Sequence, residues 1–165
     1  MEIHSVESFL RYWGRIRERT SGVIAAIPPE KIEWSYREGK FTLGDIVRHI
    51  AALERDMFAE NFAGRPSRYR GHGSELASGY ADVVLFFDQM HSETLEIIQG
   101  LPLGRLDEPC ETPGGAQLPV WKWMRAMIEH EIHHRGQIYI YLGQLDVVTP
   151  PLYGLTSEEV FDRSE

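Results

Sequence analysis

Cysteine, positive charge and long apolar runs are all scarce in this chain of 165 residues. A single cysteine, Cys110, excludes an internal disulfide framework and is compatible with a reducing cytoplasm. The formal net charge of -8 argues against nucleic acid as a partner, because phosphate binding draws on a positive surface. No apolar run approaches a membrane span, and the start lacks a signal-peptide pattern. We therefore expect a cytoplasmic protein that binds neither membrane nor nucleic acid.

The residues that are present suit one globular unit. Hydrophobic residues make up 42% and charged residues 25%, which is ordinary for a globular protein. A chain of this length can bury one sizeable core, and it contains neither repeats nor low-complexity tracts. We expect residues 1–165 to form a single domain.

Apolar residues recur every three or four positions in four stretches, the period of a helix that buries one face. Thr42 and Asp45 have the spacing of a capping box, and Thr156 and Glu159 repeat it before a short terminal helix. No stretch alternates as a strand would. The sequence therefore predicts an all-α four-helix bundle with long connections and a short C-terminal helix. The four predicted helices are 5–27, 42–63, 78–99 and 119–145.

Three histidines fall on predicted buried helix faces. His130 and His134 are four residues apart on the last helix, so both imidazoles can aim at one point. His49 lies between Ile46 and Leu53 on the inward face of the second helix. Histidines on apolar faces are often hydrogen-bonded core residues. Here few neighbouring side chains could form hydrogen bonds with the ring nitrogens, and one cation would bind all three histidines.

Two other histidines receive different interpretations. His133 points about a quarter-turn away from the pair and is expected behind the ligands or at the surface. His91 is flanked by polar Ser92 and Glu93 on the third helix, so we expect it at the surface.

Residues 44–54, Gly-Asp-Ile-Val-Arg-His-Ile-Ala-Ala-Leu-Glu, and 129–137, Glu-His-Glu-Ile-His-His-Arg-Gly-Gln, resemble the DinB/YfiT-like superfamily, as does the ending Pro-Pro-Leu-Tyr-Gly. The resemblance implies a commonly dimeric four-helix bundle whose histidines bind a divalent metal. Those positions here are His49, His130 and His134. Members with assigned activities include thiol-dependent transferases and isomerases that use bacillithiol or mycothiol. The resemblance does not imply a particular substrate.

The same residues also satisfy a competing motif. His130-Glu131-Ile132-His133-His134 matches H-E-x-x-H, the zinc peptidase signature in which the glutamate is the general base. Glu158, with Asp162 four residues on, is a superficial candidate for the third ligand. The chain lacks a strand pattern against which a peptide would lie, and Glu158 begins a short helix that we expect to be exposed. A third alternative is a non-catalytic module that holds a metal or a ligand.

We favour a metal-dependent enzyme that acts on a small molecule. Three neutral imidazoles leave a cation its full charge and at least one open position, which lowers the pKa of a bound water or thiol. Imidazole suits several metals, and we expect zinc or nickel, with iron or manganese as alternatives. The sequence does not identify a catalytic residue beyond a metal-bound water or thiol. Glu131 is adjacent to His130, but its helical direction argues against a role in orienting a ligand.

A low-molecular-weight thiol is the expected nucleophile, for an S-transferase or, with water, a hydrolase. Cys110 has no histidine nearby in sequence to activate it, so we expect it to be inert. The basic loop that carries Arg65, Arg68 and Arg70 is placed to attract the acidic groups of such thiols. Tyr139 and Ile140 extend apolar surface on the last helix, which favours the homodimer that the resemblance implies.

Overall fold

The computed structural model describes residues 3–164, and most of them are helical. The α-helices are α1 (Val6–Ala25), α2 (Leu43–Leu53), α3 (Glu60–Phe62), α4 (Tyr80–Gln99), α5 (Val120–Gln144) and α6 (Ser157–Asp162). A π-helical segment, Glu54–Ala59, joins α2 to α3, so that these three pieces form one continuous rod. Together with α1, α4 and α5 this rod makes the four-helix bundle that the sequence predicts. Within residues 3–164, no helix has both the length and the apolarity needed to cross a membrane.

The predicted helix starts follow from local hydrogen bonds. The Thr42 hydroxyl accepts from the Asp45 backbone N–H at 3.0 Å, and the Asp45 carboxylate accepts from the Thr42 N–H at 2.9 Å. The same reciprocal pair of bonds forms between Thr156 and Glu159 at the start of α6. Both predicted capping boxes are therefore confirmed. The π-helical segment was not predicted, because its inward residues Glu54 and Phe58 keep a four-residue spacing that an α-helix would also show.

The apolar core is divided into two clusters, one toward each end of the bundle. One cluster contains Val23, Ile46 and Leu142, and the other contains Phe9, Phe58 and Met124. On each long helix a polar segment separates the two clusters. Buried or half-buried polar side chains therefore cross the middle of the bundle, and they are Arg17, Thr20, His49, Glu54, His91, Thr94, His130, Glu131, His134 and Arg135.

A small hairpin interrupts the connection between α4 and α5, where the sequence predicted no strand. β1 (Pro109–Glu111) pairs antiparallel with β2 (Gln117–Pro119), with Cys110 opposite Leu118. Strands of three residues are too short to show an alternating pattern, which explains the missed prediction. Cys110 is buried in this hairpin, and burial raises the pKa of its thiol, so the sulfur stays protonated at neutral pH.

Arg48 ties two long connections to α2. Its fully buried guanidinium donates to Glu33 at 2.7 Å on the connection that precedes α2, and to Asp45 at 2.7 Å on the helix itself. It also donates to the carbonyl oxygens of His72 at 2.8 Å and Ala77 at 2.9 Å, on the connection that follows the helix. The two connections are therefore held in place around the end of α2 that carries His49.

Candidate metal centre

The three predicted histidines meet in the interior of the bundle. His49 comes from α2, and His130 and His134 come from successive turns of α5. One ligand atom from each lies within 4.8 Å of the others, and the Nε2 atoms of His49 and His130 are 3.2 Å apart. Two nitrogens that bind one tetrahedral zinc ion stand about 3.3 Å apart. The donor set therefore fits a single transition-metal ion.

All three imidazoles are neutral at physiological pH. Burial, with neighbouring histidines, lowers the pKa of His49 to about 4 and that of His130 to about 3. Burial also lowers the pKa of His134, although the hydrogen bond that its ring donates to Gln137 raises it. Neutral imidazole is the form that ligates a metal, so protons do not compete for these nitrogens near pH 7.

Tyr69 supports His49 from behind. Its hydroxyl oxygen lies 2.8 Å from His49 Nδ1 and 3.1 Å from His72 Nδ1. If His49 Nε2 faces the metal position, Nδ1 carries the ring proton and donates to the Tyr69 oxygen. The Tyr69 hydroxyl then donates to His72. The sequence pattern of this loop points to its arginines and not to Tyr69 or His72, although Tyr69 is the loop's one aromatic.

Gln137 supports His134 in the same manner. The Gln137 Oε1 atom lies 2.7 Å from His134 Nδ1, so the ring donates there and leaves Nε2 free for a metal. The Gln137 amide nitrogen is 3.2 Å from Nε2 of exposed His133. His133 thus lies behind the ligands, as its position on the helix predicts.

A pocket of about 520 Å³ opens onto His49 and His134. That volume suits a small-molecule ligand. Its other walls come from α5 and from the connection that precedes α2. These lining residues are Tyr36, Lys40, Phe41, Gln137, Ile140, Tyr141 and Gln144.

Glu131 faces away from the histidines. Its side chain is buried, where Oε2 accepts from the Trp13 indole N–H at 3.0 Å and lies 3.3 Å from Arg17 Nη2. Neighbours on an α-helix differ by about 100°, so Glu131 and His130 serve different faces of α5. Glu158 and Asp162 are exposed on α6 and are not part of the histidine cluster.

His91 is not at the surface, contrary to the prediction. Its side chain is 17% exposed, and Nδ1 lies 3.0 Å from Glu54 Oε1. Its ring also meets Trp13 edge-on at 4.5 Å between centroids. Burial and the nearby Arg17 charge lower its pKa to about 3, so the ring is neutral. The polar neighbours Ser92 and Glu93 misled the prediction because adjacent helical residues do not share a face.

The arginines of the basic loop are also placed differently from the prediction. Arg68 pairs with Glu60 at 3.0 Å and with Asp56 at 3.4 Å, and Arg65 pairs with Glu60. Neither these two nor Arg70 lines the pocket beside the histidines. The loop reaches the site through Tyr69 and His72 instead.

Comparison with known proteins agrees with this architecture. The sequence profile of the DinB superfamily matches residues 12–138. YrdA of Bacillus subtilis strain 168, described as uncharacterized, is 20% identical over 158 residues, which cover 94% of this chain and 92% of YrdA. A DinB-like protein from Bacillus cereus ATCC 10987 has a crystal structure that superposes with a TM-score of 0.72 at 19% identity, covering 88% of this chain and 95% of that one.

A further similar structure is the mycothiol-dependent maleylpyruvate isomerase. It superposes with a TM-score of 0.59 at 14% identity, and the match covers 81% of this chain and 60% of the isomerase. At such identities the structural likeness shows the fold alone.

Proposed function

The chain belongs to the DinB superfamily, and from that premise we propose that it is a metal-dependent enzyme that acts on a small molecule with a low-molecular-weight thiol as cosubstrate. His49, His130 and His134 would hold one divalent cation, with zinc or nickel the leading choices and iron or manganese the alternatives. The reaction class is transfer to or from sulfur, or hydrolysis where water replaces the thiol.

One observation carries this proposal, namely three neutral imidazoles that converge beside an open pocket. A structural zinc site is closed by four protein ligands, whereas this cluster contains three among the described residues. A divalent metal held there would supply Lewis acidity and lower the pKa of a coordinated thiol or water. Tyr69 and Gln137 hold the rings of His49 and His134, and Phe41 packs edge-on against His49 at 5.5 Å between centroids, which limits water on that side.

The thiol part of the proposal has two supports. A protein of similar fold is named as mycothiol-dependent, which makes thiol use a reasonable hypothesis for this chain. The chain's own cysteine cannot serve, because Cys110 is buried in the hairpin and does not line the histidine pocket. A thiol that takes part in the reaction would therefore come from solution.

The contacts of Glu131 weigh against the zinc peptidase alternative. A peptidase of the H-E-x-x-H type needs its glutamate beside the metal as general base. Here that carboxylate is held by Trp13 and Arg17 on the opposite face of α5.

We also propose that the protein is cytoplasmic and dimeric. Ile140 is 63% exposed on α5 and offers apolar contact surface. Tyr139 contributes less than the sequence suggested, because it is half-buried and its hydroxyl donates to the Pro150 carbonyl. Light scattering at micromolar concentration tests the dimer, and a monomeric mass there would contradict it.

The enzymatic proposal is tested with protein purified without a nickel column. Metal content is measured first, and electrophilic substrates are then screened with bacillithiol, mycothiol, glutathione or no thiol. We expect turnover that requires the metal and disappears after treatment with a chelator. A transferase would also require a thiol, and a hydrolase would turn over without one. A peptide library is screened in parallel. Peptide cleavage abolished by Glu131→Gln would establish the peptidase, and full metal occupancy without turnover would favour a non-catalytic binding module.

A further inference from the structure

We propose that the pocket beside His49 and His134 binds a small carboxylic acid with an apolar body, whose carboxylate pairs with Lys40. This inference rests on the proposed function, because it names the class of ligand that the same site would take. Three properties of the pocket support the inference, namely its charge, its length and its apolar middle.

The charge of the pocket wall comes from one residue. Lys40 is exposed, and among the described residues that line the pocket it is the only lysine, arginine or carboxylate. Within residues 3–164, no carboxylate forms an ion pair with its ammonium group. Arg65 and Arg68 of the basic loop differ, since both are already paired with Glu60. Lys40 is therefore available for a charge-assisted hydrogen bond with an anionic ligand.

The length of the pocket follows α5. His134, Gln137, Tyr141 and Gln144 recur at three- and four-residue intervals and lie on one face of the helix. A rise of 1.5 Å per residue puts Tyr141 roughly 10 Å beyond His134 along the axis. The Tyr141 hydroxyl donates to the Phe41 carbonyl at 3.0 Å, which sets the backbone beside Lys40 against that turn of α5. The pocket thus extends about two helical turns beyond His134, to the turn of α5 that is bonded to the backbone beside Lys40.

Apolar surface fills the interval between the two ends. The Phe41 ring lies edge-on to His49, and Tyr36 packs edge-on against Tyr141 at 5.4 Å between centroids. Ile140 faces the same space. The matching ligand is elongated, with a reactive group beside the histidines, a hydrocarbon or aromatic middle, and a carboxylate at Lys40.

The test uses cobalt(II)-loaded protein and two matched series of thiols. Mercaptocarboxylic acids of increasing chain length are titrated against mercaptoalcohols of the same lengths, and the thiolate-to-cobalt absorption band reports binding. We expect an acid of intermediate length to bind about tenfold more tightly than its alcohol, a ratio typical of one charge-assisted contact. Lys40→Gln should abolish that preference and Lys40→Arg should retain it. Lys122→Gln, which removes an exposed lysine at the start of α5, is the charge-matched control.

The outcomes separate this inference from the proposed function. A cobalt band with no preference for acids, or with a preference that survives Lys40→Gln, overturns the inference and leaves thiol binding in place. The absence of a band with every thiol overturns the thiol part of the proposed function.

A second measurement then decides the ligand class without metal or thiol. Phenylhexanoate and phenylhexanol are titrated into metal-free protein, and the amide NMR shifts of Lys40, Phe41 and Ile140 are followed. Tighter binding of the acid that is lost in Lys40→Gln supports the inference. Equal binding of acid and alcohol, or no binding of either, overturns it.

Discussion

The two faces of α5 carry polar clusters of opposite character. On one face the histidine triad, His49, His130 and His134, contributes three neutral rings and no countercharge. On the other face an ion cluster places the Arg17 guanidinium against the Glu54 carboxylate and 3.3 Å from that of Glu131. The ion cluster supplies its own charges of both signs, whereas the triad lacks a cation. The comparison shows that burial of polar groups does not by itself indicate a ligand site, whereas neutral lone pairs that converge on one point do.

The largest expected effect is the loss of bound metal when one histidine of the triad is removed. His49→Ala, His130→Ala and His134→Ala should each reduce bound divalent metal from near one equivalent to near zero, because two imidazoles hold a metal far more weakly than three. Elemental analysis after dialysis measures this. His133→Ala should keep its metal, because that side chain packs against His134 and Gln137 but contributes no ligand atom to the cluster. Full occupancy in any of the three triad variants would remove that residue from the ligand set.

The next effect is the loss of stability when the cation of the ion cluster is removed. Arg17→Ala leaves two carboxylates buried without their cation, so we expect a loss of about 3–5 kcal/mol in the free energy of unfolding. Urea denaturation of the metal-free protein measures it. Arg15→Ala on the exposed side of α1 is the control and should change stability by less than about 0.5 kcal/mol. A similar small change in Arg17→Ala would show that the ion cluster does not stabilise the bundle.

A smaller effect is expected when a residue that supports a ligand, and not the ligand itself, is changed. Tyr69→Phe removes the acceptor for His49 Nδ1 and keeps the ring, so we expect metal affinity to fall about 10- to 100-fold. Competition with a chromophoric chelator measures the affinity. Tyr12→Phe, an exposed tyrosine on α1, is the matched control. Unchanged affinity in Tyr69→Phe would mean that this hydrogen bond does not orient the ligand.

The smallest effect is the pH dependence that each buried histidine contributes. The pKa values of His49, His130 and His91, about 4, 3 and 3, lie below the ordinary 6.5, so the unfolded chain takes up protons before the folded one. Stability of the metal-free protein should therefore be complete above pH 6.5 and fall as the pH drops toward 4. For His91 the slope is about 1.4 kcal/mol per pH unit.

Urea denaturation between pH 5 and 6.5 checks this slope. His91→Gln should make it shallower, because one buried neutral imidazole is removed. An equal slope in wild type and His91→Gln would show that the pKa of His91 is the same in the folded and the unfolded protein.

The sequence was sufficient for features that depend on spacing along one helix. The four-residue interval between His130 and His134 and the Thr42 capping box are local patterns, and the structure shows the geometry that each predicts. The neighbours Ile46 and Leu53 identify the inward face of α2, and His49 lies on that face. Glu131 was correctly directed away from the histidines for the same reason.

Features that depend on how distant segments meet were missed. Tyr69 and His72 reach the site because Arg48 holds their loop, and nothing in residues 65–73 alone specifies that contact. His91 was misplaced because its partner Glu54 lies 37 positions earlier, on another helix. Lys40 lies in a connection without a regular period, and only the fold shows that it lines the pocket.

Arg48 has a further consequence for ligand binding. Its hydrogen bonds reach Glu33 before α2 and the carbonyls of His72 and Ala77 after it, so one side chain braces the segments on both sides of the helix. Segments braced in this way lose their conformational entropy when the protein folds and not when a ligand arrives. The site is thus preorganised, and a ligand can associate without first ordering a loop, so that more of its contact energy remains as affinity.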